Sequence, residues 1–257
     1  MIKKISIALI AIIAVFGFAP AQAAEQESIV VIDSYFDPSL VEGDVLHVCV
    51  VSQVMCSRVD QPRTASQFKS FNHGTIMADV VRTNNPGAKL ILIRAANVAH
   101  SVVTPVTFLS AINWVSENRD LYNITKVSFS YNVGNGTTCK PAAVGVPVDQ
   151  LHSQIVNTVS KLGTQGTRVF AAAGNHSSPK VDYPACISEV VSVGSALYRG
   201  SAPFSDILIG PNAFRSNVLK STVATLQDSH AISRNGKFQL IVGGTTSVAT
   251  AIAAATN

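Results

Sequence analysis

A chain of 257 residues, 47% hydrophobic and only 13% charged, is long enough to bury a substantial core. Its formal charge of +4 falls to about +2 once a basic leader carrying Lys3 and Lys4 is set aside. No Lys/Arg run follows that leader, so nucleic acid or an anionic membrane gains no support as a main partner.

In chain order, Met1-Ile2-Lys3-Lys4 is followed by an apolar stretch from Ile5 to Phe18 and then by Ala21-Gln22-Ala23. A basic start, an apolar centre and small residues at a cleavage site describe a secretory signal peptide over residues 1–23. The apolar run is short of the roughly 20 residues that a membrane-spanning helix requires, which leaves an uncleaved anchor as the minor alternative. The mature chain is therefore expected to begin near Ala24, in a secreted or periplasmic setting, with no stable membrane association.

Short apolar runs then alternate with helical patterns. Ser28–Asp33, Val45–Val51, Leu90–Arg94, Lys126–Ser130, Arg168–Ala173 and Val190–Gly194 are mostly rich in Val, Ile and Leu. Runs apolar on both faces suit strands of a parallel sheet covered on each side. Thr104-Pro105 offers an N-cap and a first-turn proline ahead of Phe108, Leu109, Ile112 and Val115. Asp149 to Leu162 carries Leu151, Ile155, Val156, Val159 and Leu162 on one stripe, with Gly163 expected to end the helix. Asn235-Gly236 between Ala231–Ser233 and Phe238–Val242 is a two-residue hairpin signal. A final helix from about Ser247 through Ala255, nearly all Ala, Val, Ile and Thr, should be buried. The pattern predicts an α/β domain over residues 24–257 with a mostly parallel central sheet.

Cys49, Cys56, Cys139 and Cys186 make an even count in a chain expected to be exported, which favours two disulfides over four reduced thiols. No pair has CxxC spacing. The favoured pairing is Cys49–Cys56, because it is local, and then Cys139–Cys186.

Four motifs carry chemistry. Asp33-Ser34 ends the first apolar run; His73-Gly74-Thr75 opens a helical pattern; Ala172-Ala173-Gly174-Asn175 follows a strand; Thr246-Ser247-Val248-Ala249 opens the last helix. In an open parallel sheet, sites collect at the carboxyl ends of strands, where all four would lie. A serine hydroxyl needs an adjacent base to attack a carbonyl, and histidine is the side chain best poised for that near neutral pH. Asp33 would hold the imidazole tautomer, and Asn175 would join the Ser247 backbone N–H in binding the oxyanion. Thr246 competes with Ser247 as nucleophile and Asp37 with Asp33. The run Ile29-Val30-Val31-Ile32 leading into Asp33 decides for Asp33.

In this order, Asp, His, Asn, Ser, the motifs resemble those of the subtilisin-like serine peptidases, over roughly Ile29 to Ala255. Ala249, two residues after Ser247, fits that family's Thr-Ser-x-Ala pattern, and the resemblance thereby favours Ser247 over Thr246. Lys126-Val127-Ser128-Phe129-Ser130 looks like the strand leading to that family's substrate-binding edge, which would continue through Ser130, Tyr131 and Asn132. Tyr183-Pro184-Ala185 and Val190–Ala196 look like the segment after the oxyanion asparagine, and Ile207–Pro211 like a blurred Ala-Pro-Gly stretch. The resemblance implies a three-layer α/β/α sandwich. It also implies a monomeric endopeptidase acting on proteins or peptides, requiring no cofactor or catalytic metal; calcium is common in the family but has no assignable residues here. Tyr35, Asn132 and Thr245 stand where the family has Gly, and Ala251 where it has Pro. The family's propeptide has no room between leader and first strand, and the chain ends at Asn257 where the family normally continues. Those departures keep a second reading open, a catalytically silent binding or regulatory protein of the same fold. An α/β-hydrolase esterase is disfavoured, because G-x-S-x-G and the order Ser, acid, His are both missing.

Overall fold

The computed structural model describes residues 26–36, 41, 43, 45–49, 73–96, 103–135, 138–142, 145–175, 180–198, 207–209, 223–226, 231–234, 237–240 and 245–257. The leader and Asp37 lie outside these residues, as does Cys56, so the Cys49–Cys56 pairing is outside them too. Among the described residues no helix is long and apolar enough to cross a membrane.

The described residues form ten strands and four helices in the order β1 (Ser28–Asp33), β2 (Val45–Cys49), α1 (His73–Asn84), β3 (Lys89–Arg94), α2 (Pro105–Asn118), β4 (Ile124–Phe129), α3 (Val148–Thr164), β5 (Arg168–Ala172), β6 (Val191–Tyr198), β7 (Ile207–Ile209), β8 (Val223–Leu226), β9 (Ala231–Arg234), β10 (Lys237–Leu240) and α4 (Thr246–Thr256). Six strands pair in parallel in the order β2-β3-β1-β4-β5-β6; β8 joins β6 in parallel and β7 joins it antiparallel. The expected mostly parallel α/β sandwich is the observed architecture. The strands flanking the predicted hairpin turn pair antiparallel, with Arg234 opposite Lys237; Asn235 and Gly236 lie outside the described residues.

Strand alternation assigns each side chain to a face. Val30, Ile32, Ile91, Ile93, Val127, Phe129, Val169 and Ala171 pack with Phe108, Ile112 and Val115 of α2 and with Leu151, Ile155 and Val159 of α3. The intervening Ile29, Val31, Leu90, Leu92 and Phe170 pack with Met77 and Val81 of α1 and with Val248, Ala249 and Ile252 of α4. Because both faces are covered, β1 is buried at every position, which is why its sequence reads as an unbroken apolar run. Asp33 shares the parity of Ile29 and Val31 and so belongs to the α1/α4 face. Ser28, by contrast, sits at the opposite end of the strand, where Glu27 accepts from Asn85, Thr125 and Lys126 and ties β1 to α1 and β4.

The N-cap Thr104 forms a reciprocal box with Thr107 and Pro105 opens α2, as the sequence predicts. The end of α3 differs from expectation. Gly163 lies inside the helix, and the left-handed residue is Gly166, at φ +85°. There the Thr167 N–H donates to the Leu162 carbonyl and the Gly166 N–H to that of Gly163, two bonds that close a Schellman turn. A helix needs its left-handed glycine just beyond its last turn, and the apolar stripe alone could not place it. Asn132, which stands where the resembling family has Gly, is not among the positive-φ residues described, and its side-chain oxygen accepts the Gly134 N–H at 2.7 Å.

The two glycines of α3 should respond with opposite signs. Gly163 is exposed with open space around it, so Gly163→Ala should raise unfolding free energy by about 0.5–1 kcal/mol. Gly166→Ala should lower it by about 1–2 kcal/mol, because a Cβ is disfavoured at that φ. Urea unfolding of both variants measures the pair.

Candidate active site

Three segment ends meet on the α1/α4 face at the carboxyl edge of the sheet. The chain leaves β1 for β2, returns through β3 on one side of β1 and continues to β4 on the other, so the topology reverses at β1. Such a reversal opens a crevice at the strand ends, and Asp33 is the residue that closes β1 there.

Asp33 is fully buried. Its Oδ2 lies 2.8 Å from Nδ1 of His73, the first residue of α1. Its Oδ1 accepts the Ser34 backbone N–H at 2.7 Å and the Ser34 hydroxyl at 3.2 Å. A carboxylate can only accept, so the proton between Asp33 and His73 sits on Nδ1, leaving Nε2 as the unprotonated nitrogen of the neutral ring. Burial opposes a charge on His73, but the Asp33 charge and hydrogen bond outweigh it and hold its pKa above the ordinary value.

The His73–Asp33 approach depends on Gly74. A Cβ there would stand 2.3 Å from the Tyr35 carbonyl oxygen, 2.8 Å from the Asp33 Cβ and 2.9 Å from the Phe36 ring. The helix end can press against the β1 turn only because nothing projects from that position. Tyr35, where the resembling family has Gly, is itself buried in this turn and contributes that carbonyl wall.

The nucleophile candidate enters from the other helix. α4 is buried along its whole length from Thr246 to Ala255, and its small side chains let it lie against β4, β5, β6 and α1. Ser247 occupies its first turn, where backbone N–H groups have no partner within the helix. Thr245 makes no side-chain cap. Asn175, beyond the end of β5 and after Gly174 at φ +106°, takes over that role from a distance. Its Oδ1 accepts the Thr246 N–H at 2.9 Å and the Thr246 hydroxyl at 3.0 Å. Because the backbone N–H must meet an acceptor, the bonded atom is the amide oxygen, which leaves Nδ2 as the donor of the same side chain. Thr246, the rival nucleophile, is thereby engaged: its hydroxyl faces Asn175 and it is fully buried.

Ser130, just past the end of β4, faces Ser247 reciprocally. The Ser247 hydroxyl donates to the Ser130 carbonyl at 3.5 Å, and the Ser130 hydroxyl to the Ser247 carbonyl at 3.4 Å. Among the described residues the Ser247 hydroxyl is thus directed to Ser130 rather than to His73. Long or misaligned links between nucleophile and base are common in unliganded sites and tighten when substrate binds.

Tyr131 turns inward, its ring edge-on to His73 at 5.6 Å and its hydroxyl 2.6 Å from the Ser34 oxygen. Asn132 is exposed. The following chain is stapled down: the Val133 N–H donates to the Tyr183 carbonyl, the Val133 carbonyl accepts from Ala142, and Cys139 is disulfide-bonded to Cys186. This is the second of the two cystine pairs read from the sequence. Sequence reasoning placed Ser130, Tyr131 and Asn132 on an edge but missed what the first two touch, since side-chain direction past a strand end has no period to read. No group of three or more His, Cys, Asp or Glu side chains among the described residues is placed to hold a metal ion.

Gly74→Ala should separate His73 from Asp33, since the wall it meets is backbone. The expected result is a His73 titration, followed by imidazole NMR, that falls toward the ordinary value near ~6.5. A destabilisation of about 1–3 kcal/mol should accompany it.

No family model matches the sequence, and no curated protein matches it. Solved structures do match the fold. The subtilase cytotoxin SubAB assembly structure has a TM-score of 0.62 at 18% identity, over 90% of this chain and 74% of that one. A mutant of the protease domain of PatA gives 0.59 at 16% identity, over 91% and 79%. The epidermin leader peptide processing serine protease EpiP from Staphylococcus aureus gives 0.61 at 13% identity, over 91% of this chain and 64% of that one. The overall fold is therefore one that this chain has in common with protease domains of very different sequence.

Proposed function

We propose that this chain is a serine endopeptidase of the subtilisin-like type, acting on protein or peptide substrates through an acyl-enzyme on Ser247. The observation that carries the reading is the 2.8 Å His73–Asp33 pair, held on the same sheet face as a serine in the first turn of a buried helix.

His73, neutral and with its proton on Nδ1, takes the Ser247 proton at Nε2 as Oγ attacks the scissile carbonyl carbon. Asp33 stabilises the imidazolium without becoming protonated. The tetrahedral oxygen receives the Ser247 backbone N–H and the Asn175 Nδ2. His73 then returns the proton to the departing amine, and water, deprotonated by the same nitrogen, releases the acid. The backbone beyond Ser130, at Tyr131 and Asn132, supplies the edge along which an extended peptide would lie. The disulfide is compatible with an exported protein, and a leader over residues 1–23 followed by a single 24–257 domain is part of the proposal. So are a monomeric state and independence from any cofactor.

The alignment of the Ser247 hydroxyl with Ser130 favours the second reading, a silent binding protein. A fluorophosphonate probe separates the two. Wild type should be labelled and Ser247→Ala should not; equal labelling of both rejects the nucleophile. Incubation with a mixed peptide library should yield cleavage only with the wild type.

The labelling rate should rise with pH, because only neutral His73 can accept the proton. Since its pKa is raised, the midpoint should lie above ~6.5. Asp33→Asn should reduce the rate on the order of 10⁴-fold. Stability should move the opposite way. A raised histidine pKa contributes stabilisation that is complete below the unfolded value and lost as pH climbs through the folded one.

A further inference from the structure

We propose that Tyr131 is a positioning residue for the Asp33–His73 pair, acting on the carboxylate through the Ser34 hydroxyl and on the imidazole through its ring edge. This rests on the peptidase reading for its catalytic consequence, but not for its structural one.

The polarity of the hydroxyl chain is determined. Asp33 Oδ1 can only accept, so the Ser34 hydroxyl spends its single proton on it, at 3.2 Å. The Ser34 oxygen is then left with lone pairs, and the Tyr131 hydroxyl donates to it at 2.6 Å. One proton path therefore runs from Tyr131 to Ser34 to Asp33, each bond polarising the next. Burial, with the Asp33 charge beside it, pushes the Tyr131 phenol well above its ordinary pKa, so it stays a donor at any working pH.

The same side chain also meets the other partner. Its ring stands at 78° to the His73 imidazole with centroids 5.6 Å apart, an edge-to-face contact that limits rotation of the histidine about χ2. The ring is in turn backed by Phe129 at 6.3 Å. His73 is about one-third exposed, so the carboxylate alone leaves one side of the imidazole open. Tyr131 supplies a second restraint from the end of β4, the strand that also delivers Ser130 to Ser247. Base, carboxylate and serine are thereby referred to a single strand end.

Two measurements test this on the full chain. In Ser247→Ala protein, where no turnover occurs, the Nδ1 proton of His73 should give a downfield NMR line. In Tyr131→Phe on that background, its exchange with water should be at least several-fold faster. In the catalytic background, Tyr131→Phe and Ser34→Ala should each lower the maximal fluorophosphonate labelling rate by about 3–10-fold, with the half-saturating probe concentration unchanged. The double variant should be no slower than the slower single one, because both substitutions cut one serial path. An unchanged Nδ1 exchange rate in Tyr131→Phe overturns the proposal, as does additive loss in the double variant. Absence of labelling in wild type would reject the peptidase reading alone, and the Nδ1 line would still decide the role of Tyr131.

Discussion

An ionised carboxylate with no exposure to water is costly, by several kcal/mol, unless hydrogen-bond donors replace the solvent it has lost. Asp33 meets that demand with the Ser34 N–H, the Ser34 hydroxyl and the His73 ring. Each donor makes its own requirement of the sequence. The first needs a turn directly after β1. The second needs a hydroxyl at position 34. The third needs a helix whose first residue can come within hydrogen-bond reach, which Gly74 permits by projecting nothing toward the Tyr35 carbonyl. The rest of the site is arranged around this one buried charge.

Parity does the remaining work. A period of two along β1 sends Val30 and Ile32 to the α2/α3 side and Asp33, with Ile29 and Val31, to the side holding α1 and α4. The same rule on β4 puts Phe129 with α2, and Ser130, just past the end of that strand, meets Ser247 of α4. Helices that return antiparallel to the strands bring their first turns to the strands' carboxyl ends. Hence His73 and Ser247, far apart in sequence, share one edge of the sheet.

Features governed by local chemistry were legible in advance. The apolar run of β1, the Thr104-Pro105 start, the antiparallel pairing of β9 with β10 and a mostly parallel sheet covered on both faces each follow from periodicity or from turn and capping preferences. The Cys139–Cys186 pair was reached by elimination and is present. Features set by tertiary approach were not legible. The left-handed residue ending α3 is Gly166 rather than Gly163, because a Schellman closure depends on which carbonyls remain unpaired. The side-chain oxygen of Asn132 accepts the Gly134 N–H, a contact no spacing announces. The inward turn of Tyr131 comes after β4 has ended, where alternation no longer constrains direction.

Asn175 joins two jobs in one amide. Its oxygen replaces the cap that Thr245 does not supply, and its nitrogen is left as a donor. Truncating that residue therefore uncaps α4 and removes the donor at once, so under the proposed peptidase reading a loss of turnover in such a variant has two causes to separate, missing oxyanion stabilisation and a slackened α4. Asp at the same place would preserve the acceptor while abolishing the donor. The two duties are separable only by a carboxylate.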